Sequence, residues 1–131
     1  MLPKYHLLDS NILIGFLNGD TKIANWLFIQ RKENSHFTLN ISVITKIEVL
    51  SLKTLARHQI EEAEKFLETF RVVNIDNDIV HLASALKREG FLSLGGAIIA
   101  ASAISNKLTF VTNDKTLRSK TEKFTEVISV K

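Results

Sequence analysis

The chain has 131 residues, 45% hydrophobic and 24% charged, with five glycines, one proline and no cysteine. That length suits one domain with its own core, and the composition excludes collagen-like, low-complexity and disordered classes. Seventeen basic and fourteen acidic residues leave a formal charge of +3 with the signs interspersed, a balance that permits nucleic-acid contact without arguing for it.

Lack of cysteine excludes disulfides, thiolate zinc sites and cysteine nucleophiles, and it fits a reducing compartment. The apolar stretches at 12–17 and 97–104 are too short or too broken to span a bilayer. Residues 1–8 run straight into Asp9, which is a poor signal peptide. A cytoplasmic protein without a membrane segment is expected.

The run at 5–8 reads as a strand ending at Asp9. Residues 10–18 place Ile12, Leu13, Phe16 and Leu17 at helical spacing, closed by Asn18-Gly19. Asp20 can cap a second helix carrying Ile23, Trp26 and Leu27, which ends in the polar run 31–35. Alternation at 37–41 predicts a strand, and Ser42 caps a helix containing Ile44, Ile47, Val49, Leu50 and Leu52. A charged amphipathic helix at 59–70 closes this half.

The second half repeats the alternation. A β-branched strand at 71–75 leads to Asp76-Asn77-Asp78, which supplies caps for a helix through Lys87. Gly90 stands where a C-terminal cap glycine belongs, and Gly95-Gly96 precedes a small apolar helix at 97–105. Strands follow at 108–111 and 127–130. Strands separated by helices imply parallel pairing and right-handed crossovers. The expected architecture is one α/β domain over 1–131, a three-layer α/β/α sandwich with a mostly parallel central sheet.

In such folds the ligand crevice lies beyond the carboxyl ends of the strands. Three carboxylates fall there: Asp9 after the first strand, Asp114 beyond the strand at 108–111, and Glu48 in an otherwise apolar helix. A glutamate so placed is desolvated unless it lines a crevice or meets a cation. Three neighbouring anions repel, and Mg²⁺ relieves this with oxygen ligands while leaving room for a substrate phosphate. Such an ion can activate water and stabilise charge on a phosphodiester under in-line attack.

Asn11 and Thr112 are neutral hydrogen-bonding groups suited to supporting that site. Each acid also has a plainer reading, Asp9 and Asp114 as helix caps and Glu48 as a surface residue. His6, His36, His58 and His81 show no metal-ligand spacing, and Lys115, Arg118, Lys120 and Lys123 alternate with Glu122 and Glu126 as a solvated face. Leu13, Phe16, Trp26, Leu27 and Phe28 exceed what one helix face buries, which predicts an apolar patch covered in a dimer or by a partner.

The run Leu7-Leu8-Asp9-Ser10-Asn11-Ile12-Leu13-Ile14 resembles the opening of PIN-domain proteins, a hydrophobic strand followed by Asp-Thr/Ser-Asn. Ile41-Ser42-Val43-Ile44-Thr45-Lys46-Ile47-Glu48-Val49-Leu50 resembles the family's second block, with Glu48 at its metal-site glutamate. Ala97-Ile98-Ile99-Ala100-Ala101-Ser102-Ala103 and Phe110-Val111-Thr112-Asn113-Asp114 resemble the third and fourth. Four blocks in order cover essentially the whole chain, and the subgroup they resemble is the VapC-type toxins of toxin–antitoxin pairs.

The resemblance implies a Mg²⁺- or Mn²⁺-dependent endoribonuclease that cleaves RNA phosphodiester bonds. Asp9, Glu48 and Asp114 would be its catalytic and metal-site carboxylates. It also implies a homodimer and an antitoxin-like protein partner. One departure stands against it. The family's third block opens with a metal-site aspartate, and here that position is Gly96. The glycine is either natural to the chain or an aspartate codon altered by one base. Activity is therefore expected to be weakened or absent. The alternative is a non-catalytic PIN-fold module that holds an antitoxin-like partner or RNA. A phosphoacceptor receiver domain would want adjacent acids at the first strand, and Ser10 stands there instead.

Overall fold

Short strands flanked by helices can bury both of their faces, and apolar residues at successive positions are what such strands require. The computed structural model of the chain describes residues 5–33 and 38–131. Its elements, in order, are β1 (His6–Leu8), α1 (Ser10–Leu17), α2 (Thr21–Glu33), β2 (Leu39–Ser42), α3 (Val43–Leu50) and α4 (Arg57–Leu67). They continue with β3 (Arg71–Val73), α5 (Asn77–Arg88), α6 (Leu94–Ser105), β4 (Thr109–Val111), α7 (Lys115–Thr121) and β5 (Val127–Ile128).

The sheet order is β3-β2-β1-β4-β5, and every pairing is parallel. Leu7 lies between Asn40 and Phe110 in register, and Leu8 lies beside Val111. Alternation then splits the core in two. Leu7 and Phe110 join Ile79, Leu86, Ile99 and Ala100 on the α5–α6 face. Leu8 and Val111 join Ile12, Leu13, Leu27, Ile41 and Leu67 on the other. The expected three-layer α/β/α sandwich is what forms.

Most boundaries follow the capping chemistry. Asp20 accepts from the Lys22 and Ile23 amides, Ser42 from Ile44, and Asp76 from Ile79. Gly90, with φ of 85°, ends α5 in the left-handed conformation that glycine adopts without strain. Several boundaries move: β3 and β5 end two residues short of the expected 75 and 130, and α4 ends at Leu67 rather than 70. The Gln59 side chain accepts from the Ala56 amide at 2.8 Å, which starts α4 at Arg57, two residues early. Ser93 accepts from the Gly96 amide at 3.0 Å, so Gly95 and Gly96 lie inside the first turn of α6 rather than before it. The predicted strand at 37–41 is seen as β2; Phe37, His36 and residues 1–4 lie outside the described residues.

Helix α6 is small because it must approach the sheet closely. Ala97, Ala100, Ala101 and Ala103 are fully buried, as is Ser102. Ala100→Leu is therefore expected to overpack this contact and destabilise the chain by about 1–3 kcal/mol in urea unfolding. An unchanged midpoint would place Ala100 at a surface instead.

The apolar patch expected on α1 and α2 is largely core. Leu13 and Leu27 are buried, Phe16 stacks on Phe66 at 4.6 Å, and Trp26 meets the His6 ring edge-on at 5.5 Å. Only Phe28, at 67% exposure, keeps the expected character. The exposed apolar side chains Ile75, Val80 and Leu94 gather on the opposite face, around a groove between α5 and α6.

Candidate active site

The chain builds β1, β2 and β3 outward in one direction, then returns to lay β4 and β5 on the other side of β1. The reversal sits between β1 and β4, the point where open α/β sheets place their ligand crevice beyond the carboxyl ends. Asp9 follows β1, and Thr112, Asn113 and Asp114 follow β4. The Asp9 amide donates to the Val111 carbonyl at 2.9 Å and ties the two strand ends together.

Asp9 is 3% exposed and makes no side-chain cap for α1, so its carboxylate is turned to another use. The fully buried Thr112 hydroxyl donates to Asp9 Oδ2 at 2.8 Å and accepts from the Asp114 amide at 3.0 Å. One hydroxyl thus sets the geometry of both acids. Burial pushes the Asp9 carboxyl up to about 6. Hydrogen bonds from Thr112 and the Ser10 amide oppose that rise, while the charges of Asp114 and Glu48 add to it.

Asp114 is half-buried and does serve as a cap, Oδ1 accepting from the Thr116 and Leu117 amides at 2.9 and 3.0 Å. The capping bonds use one oxygen and leave Oδ2 to the crevice side of the inventory. Glu48 is exposed on α3 but not loose. Ser10 Oγ lies 2.8 Å from Glu48 Oε1 and 3.0 Å from Thr45 Oγ1. A hydroxyl carries one proton, so Ser10 donates to the carboxylate and Thr45 completes the chain by donating to Ser10. Asn11 is exposed on the first turn of α1.

Ser10 and Thr45 are the residues that sequence reasoning left without a role. Ser10 stood in the Asp-Ser-Asn run; Thr45 lies three residues, about one helical turn, before Glu48. That spacing was the available signal. Neither His58 nor His81 approaches the crevice acids closely enough to form a metal group. Arg118 on α7 pairs with Glu122 at 3.5 Å and donates to Ser129 at 2.9 Å, in keeping with a solvated face.

Of the two glycines in the first turn of α6, Gly95 rather than Gly96 faces Glu48. A Cβ on Gly95 would lie 3.5 Å from both oxygens of Glu48, whereas one on Gly96 would meet Ser93 Oγ at 3.1 Å and Leu117 Cδ2 at 3.3 Å. Neither glycine has positive φ, so an L side chain is not strained at either. The oxygen donors suit a hard cation, and Asp9 senses its two acidic neighbours. Yet among the described residues no three acidic or histidine side chains close to the distance of a common ion.

Relatives share this arrangement of elements. The chain superposes on a toxin–antitoxin complex from Klebsiella pneumoniae with a TM-score of 0.77 and 29% identity, covering 96% of this chain and 98% of that one. DNA-bound VapBC from Salmonella typhimurium gives 0.80 at 20% identity, covering 98% and 99%. VapBC2 from Rickettsia felis, bound to a promoter DNA fragment, gives 0.76 at 19% identity, covering 97% and 99%. No curated protein sequence matches the chain. The PIN domain family model matches residues 6–123. A match that runs from the first strand to the last helix leaves one conclusion: the chain belongs to the PIN domain family.

Proposed function

We propose that this chain is the toxin of a toxin–antitoxin pair, a cytoplasmic ribonuclease whose hydrolytic site is short of one carboxylate. The observation that carries the reading is the buried Asp9 at the β1–β4 switch point, whose carboxyl is raised by burial and, further, by the charges of Asp114 and Glu48. A Mg²⁺ or Mn²⁺ ion held by these three would offset their repulsion and stabilise charge developing on a scissile phosphodiester. Thr112 holds Asp9 and Asp114 in fixed relation, and Ser10 orients Glu48 against Thr45. Asn11, exposed beside them, offers a neutral donor to RNA phosphate.

The open cage favours the second reading, a PIN-fold module that holds its partner without cleaving RNA. Manganese titration and RNA cleavage by this chain and by Gly96→Asp separate the two. A parent chain that takes up Mn²⁺ weakly and cleaves little or nothing, with a variant that binds it more tightly and cleaves, supports the first; inertness of both supports the second.

The toxin–antitoxin complexes among the structural relatives support an antitoxin-like protein as the partner. Self-association is assigned to the α5–α6 face, where a groove of about 230 Å³ is lined by Ile75, Ile79, Val80, Ala83, Leu94 and Ile98. Leu94 is 65% exposed there, an apolar surface that a second copy would cover. The chain should sediment as a dimer, and Val80→Lys with Leu94→Lys should give monomer. A parent that is already monomeric at micromolar concentration removes this assignment.

A further inference from the structure

A second cavity, of about 480 Å³, runs along the edge strand β3 and reaches the turn from α6 into β4. Tyr5 and Lys107 border it just before β1 and β4, while Asp9 and Thr112 follow those same strands. Three residues of strand, about 10 Å, therefore separate this end of the cavity from Asp9 and Thr112. Its size falls within the range of small-ligand sites, about 300–1,000 Å³.

The chemistry of its wall is specific. The side chains of Arg71, Asn74 and Tyr5 make no hydrogen bond or ion pair among the described residues, and Tyr5 is 50% exposed. Asn106 commits its amide nitrogen to the Ser102 carbonyl at 2.9 Å, which leaves its side-chain oxygen to the cavity's inventory. Asn40 commits its amide nitrogen likewise, to the His6 carbonyl at 3.0 Å. Asp76 is the one carboxylate in the wall, and it is engaged in capping α5 through the Ile79 amide at 2.9 Å. Lys107 holds a left-handed backbone, φ 55°, just past the end of α6 and lines the cavity as a second cation. Arg71 and Lys107 are then the cations facing a ligand anion, and Arg71 is the one with paired donors.

A guanidinium, an aromatic face and unengaged amides together suit one kind of molecule. Arginine takes phosphate through paired donors, an aromatic ring stacks on any base, and amides pair with base edges. We propose that this cavity binds a nucleoside phosphate, with Arg71 on the phosphate, the Tyr5 ring against the base, and Asn74 and Asn106 at its polar edge. The unit is either a free nucleotide or one residue of a single-stranded RNA.

The test is calorimetric titration in EDTA, which silences any divalent metal at the carboxylates and keeps RNA intact. The probes are the four nucleoside 5′-monophosphates and an unstructured oligoribonucleotide. Binding of a monophosphate identifies a free-nucleotide site; binding of the oligonucleotide alone identifies a contact for an RNA strand. In either case Arg71→Gln should weaken binding about tenfold or more, and Tyr5→Ala about fivefold or more. Lys65→Gln, a matched loss of charge on α4, should leave it unchanged. The proposal is overturned if neither probe binds the parent, or if Lys65→Gln weakens binding as much as Arg71→Gln. Circular dichroism confirms that each variant is folded, and Tyr5→Ala carries the test should Arg71→Gln unfold.

Discussion

Asp9→Asn is expected to make the folded chain more stable at neutral pH, by up to about 3 kcal/mol, while removing a central member of its acidic site. The reason is the burial that lifts this carboxyl from 3.8 to about 6. Between those values the folded chain keeps a proton that the unfolded chain has released. Stability therefore falls as pH rises through that window, and above about 6 the whole cost of the buried charge is present. Asparagine carries no charge and still offers Thr112 an oxygen to donate to. Thermal unfolding at pH 7 and pH 3.5 checks this: the variant should be the more stable at the first and gain nothing at the second. Equal stability at pH 7 would mean that the Asp9 charge is already neutralised in the folded chain. A divalent cation would act on the same term, so Mn²⁺ affinity should rise with pH until Asp9 is ionised.

That trade of stability for charge is the kind of local inconsistency that a sequence can disclose. Asp9 ends an apolar strand and is buried there, a costly position for an acid unless the site needs one; Glu48 interrupts an apolar helix but stays exposed. The strand order was not legible residue by residue, but alternating helices and strands left few parallel arrangements, and the switch point between β1 and β4 is where Asp9 and Asp114 follow their strands. The apolar patch failed for a physical reason. Helical periodicity marks which face of α1 and α2 is apolar and says nothing of what covers it. Phe66, fifty residues beyond Phe16, supplies the cover. The Ser10–Thr45–Glu48 chain was hidden for the same reason, since it joins two helices remote in sequence.

Restoring the lost carboxylate should have the largest effect on chemistry, and the first turn of α6 offers two places for it. With Ser93 as cap, Gly95 and Gly96 are its second and third residues, where the helix dipole favours an acid. Gly96→Asp fills the position that the family resemblance assigns, but its Cβ needs Leu117 to give by a few tenths of an ångström. Its carboxylate can also turn back to the Ser93 amide in a capping box, a use that would add stability and no metal site. Gly95→Asp needs no such yielding and points at both Glu48 oxygens. Without a cation this pair repels; with one it is a pair of ligands.

The expected result is that Gly96→Asp binds Mn²⁺ at least about tenfold more tightly than the parent and gains metal-dependent RNA cleavage, each ~1.4 kcal/mol of transition-state stabilisation adding tenfold in rate. Adding Asp9→Asn should abolish both gains. If Gly95→Asp shows them and Gly96→Asp does not, the missing ligand belongs one residue earlier, against Glu48, and the nuclease reading stands. If both variants fold and neither binds more Mn²⁺ than the parent, the crevice is not a metal site, and holding a partner is the function that remains.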